Sequence, residues 1–157
     1  MGKWGPRDSQ MSRVYMAEGG VDGGSRLETV TEMQAWVDKI MRSVWWKNRY
    51  SYITYIQVMP GRGCKCALAS WSKDRRNPRG TWIPSIKIPI WARYQFTILH
   101  EMAHHVTNPT RFKDAYASHG PEFCWNFLAL VKRWMGAADY ADLRSKFREC
   151  KVRVKRA

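Results

Sequence analysis

The chain has 157 residues, 45% of them hydrophobic and 25% charged, which is the composition of a globular protein and suits one domain with a real core. No stretch approaches the ~18 apolar residues of a membrane span, so a membrane-embedded function is excluded. The 27 Lys and Arg against 13 Asp and Glu leave a net charge of +14, which points to a polyanionic partner, nucleic acid ahead of a membrane surface.

Residues 1–24 read as a flexible N-terminal arm and a Gly-rich loop. The opening is polar, contains Gly5-Pro6 and has no apolar run of the kind a signal peptide needs. Arg13 to Met16 is too short a pattern to assign as strand or helical turn. Gly19, Gly20, Gly23 and Gly24 crowd into a segment that resists regular structure. A helix is expected over about 30–47. Thr29 and Glu32 form a capping box, and Met33, Trp36, Val37, Ile40, Met41, Val44 and Trp45 recur at helical spacing.

Three strand-like runs follow, over 52–58, 64–72 and 82–90. Pro84 and Pro89 lack an N–H and assign the third run to a sheet edge, where an extended peptide can pair. Between the second and third runs lies a basic loop with Lys73, Arg75, Arg76 and Arg79. Cys64 and Cys66 are too close together for a zinc knuckle and read as small buried strand residues. The four cysteines, with no leader ahead of them, fit a reducing cytoplasm, bacterial or that of a host if the chain is phage-encoded.

A helix over about 93–107 buries Phe96, Leu99, Ala103 and Val106 and turns His100, Glu101 and His104 toward a cleft. Asn108-Pro109 ends it. Pro121 opens the next helix, whose stripe is Phe123, Phe127, Val131 and Trp134, and Gly136 caps it. A last helix over about 138–149 buries Tyr140, Leu143 and Phe147. The tail, 151–157, carries Lys151, Arg153, Lys155 and Arg156 and reads as mobile. A helix, three strands and then helices imply an α+β fold with an antiparallel or mixed sheet.

The chemistry concentrates in His100-Glu101-Met102-Ala103-His104. Histidines four apart share a helix face and can hold one metal ion, zinc by preference, with Glu101 placed as general base. A catalytic zinc keeps three protein ligands and an open position. His119 is the best third ligand, with Glu122 as the alternative. His105 is about 100° round the helix and expected to face a partner helix or solvent. Tyr116 and Tyr94 are the candidate oxyanion donors. Thr107 and Thr110 stand where a metzincin needs Gly and His, which excludes that class.

With His119-Gly120-Pro121-Glu122-Phe123 added, the pattern resembles the SprT-like zincin metallopeptidases, Spartan-type proteins among them, whose signature is His-Glu-x-x-His followed by His-Gly-x-x-Phe. From Arg13-Val14-Tyr15-Met16-Ala17-Glu18 onward the chain also resembles a group of small actinobacterial and phage metallohydrolases. The SprT-like resemblance implies one zinc ion on His100, His104 and His119, a catalytic Glu101, a compact zincin-like domain over 25–150, and cleavage of proteins bound to DNA. The chain departs from that family in having no C-terminal Cys-x-x-Cys pair for a zinc ribbon. The reading is a zinc metallopeptidase with a protein or peptide substrate, acting on or near DNA through the basic loop and tail. The alternatives are a non-catalytic DNA-binding or assembly protein that retains zinc, and a metallohydrolase of a non-protein substrate.

Overall fold

The computed structural model describes residues 5–77 and 79–156. Residues 1–4, Pro78 and Ala157, which belong to the expected arm, basic loop and tail, lie outside the described residues. The fold is α+β, with six α-helices and a three-stranded mixed sheet among the described residues. In chain order these are α1 (Met11–Glu18), α2 (Val30–Arg42), α3 (Val44–Arg49), β1 (Gln57–Pro60), β2 (Leu68–Lys73), β3 (Trp82–Ile88), α4 (Gln95–Thr107), α5 (Pro121–Trp134) and α6 (Ala137–Glu149), with a 3₁₀ turn at Ile90–Ala92.

The expected capping box is formed. Thr29 Oγ1 accepts from the Glu32 amide at 3.1 Å, and Glu32 reaches back to the Thr29 amide. The single helix expected over 30–47 is two. Ser43 takes an extended conformation, its hydroxyl donating to the Ile40 carbonyl at 2.6 Å and accepting from the Trp46 amide at 3.1 Å. A serine that satisfies one helix end and caps the next competes with continuous backbone pairing.

The sheet order is β1–β3–β2, with β1 parallel and β2 antiparallel to β3. The third strand is therefore central, and the edge expected for it belongs to β1 and β2. Pro84 is tolerated because β1 pairs only with Ser85 to Ile88, so at Pro84 the strand has a neighbour on one side alone. Pro89 follows the strand's end. Cys64 and Cys66 lie in the turn before β2, half-buried and exposed, rather than buried on a strand.

α2 packs on β1, and α4 lies against β2 and β3 with α5 on its other side. Ile86 and Ile88 from the sheet, Ile98, Leu99 and Met102 from α4, and Phe123 and Phe127 from α5 fill the core between them. Residues 11–18, expected within a flexible arm, form α1, which buries Val14 and Ala17 against α6. The Gly-rich loop also has a structural task. Carbonyls of Gly23 and Ser25 accept from the amides of Phe96 and Gln95, both at 3.1 Å, and so supply the N-terminal cap that α4 lacks in its own side chains.

Candidate metal centre

Two features of α4 orient the site. His105 faces the sheet rather than a partner helix or solvent, and its Nε2–H donates to the Ser85 carbonyl on β3 at 2.8 Å. Burial pushes its pKa down to about 4, so the ring is neutral and serves to fix α4 against the central strand. With His105 turned inward, His100 and His104 rotate to the rim of a cleft of about 430 Å³ between α1, α4, β2 and the 108–118 connection.

That connection is set by Asn108. Its Oδ1 accepts from the amides of Ala115 and Tyr116, each at 3.0 Å, and its Nδ2 donates to the Tyr116 carbonyl at 3.0 Å. The chain then returns to deliver His119 just before α5. Nε2 of His100 lies 3.1 Å from Nε2 of His104 and 3.3 Å from Nε2 of His119. Phe123, fully buried on α5, packs against all three imidazoles with ring centroids 4.5 to 5.1 Å away. The rings therefore have a dry inner wall and one open side.

The outer contacts fix the protonation pattern. His119 Nδ1 meets Asp8 Oδ2 at 2.8 Å, and His100 Nδ1 meets Glu18 Oε1 in a short contact. An ionised carboxylate only accepts, so each Nδ1 carries a proton, and in the neutral ring Nε2 then presents a lone pair. Where two such lone pairs face one another they repel, and a proton or a metal ion between them relieves the repulsion. Two nitrogens bound at ~2.0–2.1 Å to a tetrahedral zinc stand roughly 3.3–3.4 Å apart, close to the spacing found. Asp8 Oδ1 is buried without a hydrogen-bond partner among the described residues, which leaves a free acceptor beside the cluster. The residues present thus fit a metal ion, and His100, His104 and His119 can hold it.

Burial favours the neutral ring at two of the three histidines. Burial, and then the neighbouring imidazoles, hold His104 well below the ordinary histidine range. Burial also lowers His119, although Asp8 pulls the other way. For His100, burial opposes the charge but Glu18 outweighs it and the pKa rises. Burial raises Glu101 above the usual carboxylate range, while His100 and the Ala69 amide on β2 favour its ionised form. Glu101 is only 5% exposed yet lines the same cleft as the imidazoles.

Several expected site residues fall elsewhere. Glu122 is on the first turn of α5, outside the three-histidine set and outside the cleft lining. Tyr94 stands at the N-cap of α4 beneath the Arg26 guanidinium, and Tyr116 lines a neighbouring groove. The tyrosine in the cleft is Tyr15 of α1, with its ring 4.8 Å from His119 and 6.1 Å from His100. Burial, then Glu101 and Glu18, push its pKa up to about 12, so it is an O–H donor at neutral pH.

Of the basic residues expected to meet nucleic acid, Arg76 is committed within its own turn. It pairs with Asp74 at 2.9 Å and covers the Tyr55 ring at 3.4 Å. Lys73, Arg75 and Arg79 are exposed around the β2–β3 turn. The tail is tied down rather than loose: Val152 is buried, the Arg153 backbone exchanges two bonds with Gln10, and the Lys155 amide donates to Pro121. Lys151, Arg153, Lys155 and Arg156 are exposed along it.

Sequence reasoning missed Asp8, Tyr15 and Glu18. Glu18 lies 82 positions from His100 and Asp8 lies 111 from His119, so no local spacing links them to the metal motif. The signals available are the Val14 and Ala17 stripe, which marks residues 11–18 as a packed helix, and the Arg13 to Glu18 run of the second resemblance, which assigns Tyr15 and Glu18 no role. No helix among the described residues is long and apolar enough to cross a membrane. Comparison with protein-family models, with curated proteins and with solved structures finds no match for this chain.

Proposed function

We propose that the chain is a zinc-dependent hydrolase of peptide bonds, of the zincin kind that its SprT-like motif suggests. The observation that carries this reading is the buried Glu101 beside three converged imidazoles at the wall of an open cleft. A bound zinc would supply a Lewis acid and bring the pKa of water toward neutrality.

The chain's own residues account for the remaining steps. Glu101, raised by burial, accepts the proton of the attacking water and returns it to the leaving amine. Glu18 and Asp8 hold two imidazoles in the tautomer that leaves Nε2 free. Tyr15, protonated at neutral pH, is the donor available to a developing oxyanion. β2 is a sheet edge whose Leu68, Ala69 and Trp71 border the cleft, so an extended peptide added to it would lie beside Glu101. That edge favours a peptide over a small amide.

Incubation of the zinc-loaded protein with an unfolded substrate such as casein tests the proposal. Cleavage that stops on chelation and returns with added zinc is expected. Stoichiometric zinc with no cleavage of any unfolded protein would favour a metal-stabilised binding protein instead.

A further inference from the structure

A second concave surface lies away from the metal ligands. It is a groove of about 800 Å³ lined by α3, α5, α6 and the C-terminal segment. Arg49, Lys132, Arg133, Arg144, Arg148 and Arg156 line it, and all six are exposed. Among the described residues none forms a salt bridge and no carboxylate lines the groove. Asp142 and Glu149 are exposed on α6 but stand outside it. Six unpaired like charges around one concavity repel each other and weaken the fold unless a polyanion fills it.

The aromatic residues narrow the choice of polyanion. Trp45, Trp125 and Tyr140 share the lining. Trp125 is 36% exposed on a helix whose other large apolar side chains are mostly buried. Cations sit beside the rings, with Arg49 5.5 Å above Trp45 and Lys132 5.0 Å above Tyr140. Alternating rings and cations match the alternating bases and phosphates of an unpaired strand. A duplex hides its base faces and cannot use the rings. A flat anionic membrane does not enter a groove.

The groove also continues. Trp45, Arg49, Trp125 and Arg156 line a second groove of about 720 Å³, which adds Tyr52 and Tyr116. That second groove reaches Val106, Thr107 and Pro109 at the end of α4, on either side of the Asn108 that borders the metal cleft. We propose that this continuous surface binds single-stranded nucleic acid, with phosphates on its cations and bases on its rings, and leads the strand toward the metal cleft. Of the basic residues the sequence singled out, only Arg156 lines it. The inference does not rest on the hydrolytic reading.

Fluorescence anisotropy with a labelled oligothymidylate tests it, using the Glu101→Gln protein throughout so that binding is read without turnover. Trp125→Ala should weaken binding about tenfold or more, by loss of one stacked base. Arg144→Gln with Arg148→Gln, on an exposed helix face, should lower the slope of log K against log salt by about 0.7 per lost phosphate contact. Arg75→Gln with Arg79→Gln should leave affinity within twofold. An oligouridylate arm should also bind, because rings and phosphates are shared chemistry. Duplex DNA, heparin or anionic vesicles bound as tightly as the single strand, or unchanged binding in both groove variants with circular dichroism unaltered, would overturn the proposal.

Discussion

Three imidazoles converge with Nε2 of His100 at 3.1 and 3.3 Å from those of His104 and His119, a spacing that suits one shared metal ion. The arrangement persists because Phe123 packs on the rings and two carboxylates orient His100 and His119. Replacing Glu18 with Gln or Asp8 with Asn should lower zinc affinity by about 10–100-fold while the fold survives, read by competition with a chromophoric chelator. Unaltered affinity in both variants would mean that the carboxylates do not hold the rings. At this scale the sequence was half legible. His100 and His104 follow from helical spacing, and His119 and Glu101 from the motif. Their N-terminal supports come from distant sequence and depend on how α1 docks. Tyr94 and Tyr116 could not be separated from Tyr15 without knowing which segments border the cleft.

Elements were easier to recognise than their junctions. α2, α4, α5 and α6 follow their apolar stripes because burying such a stripe is the main source of helix stability. Ser43 splits one helix, and β3 lies in the centre of the sheet because β1 is too short to meet its proline. The Gly-rich loop caps α4, and Gly24 is held at φ +73°, where an added Cβ would stand 2.8 Å from Met135 Cε. Gly24→Ala should therefore destabilise the protein by about 1–3 kcal/mol in thermal unfolding, with zinc affinity falling alongside; an unchanged melting temperature would show that the loop is dispensable. At the other end of α4, Tyr52 donates to the Val106 carbonyl at 2.7 Å, and burial, then Tyr50, push its pKa up to about 12. The neutral form is favoured on folding, so this contribution is complete below pH ~10, the unfolded value, and is lost as pH rises toward 12. Tyr52→Phe should cost about 1 kcal/mol at neutral pH and flatten that alkaline slope in denaturant titrations. An equally steep slope would assign it to other tyrosines.

For the whole molecule, the net charge of +14 was legible at once, but its distribution was not. The basic loop spends Arg76 on Asp74, and the tail is anchored through Val152 and Gln10, so truncating the tail would disturb α1 and the site as well as remove charge. A further set of unpaired cations gathers with tryptophans over α3, α5 and α6, because those helices bury their apolar faces inward and leave Arg and Lys outside. The α+β class was readable from element order, whereas the sheet order was not, since strand pairing depends on contacts distant in sequence. Everything proposed for the cleft depends on Glu101 being the base of a zinc-dependent peptide hydrolysis. Zinc content and peptide cleavage measured side by side in the native protein and Glu101→Gln test it most directly. About one zinc per chain is expected in both, with cleavage in the native protein and a loss of at least about 10²-fold in the variant. Cleavage that survives in Glu101→Gln, or its absence from the zinc-loaded native protein, would contradict it.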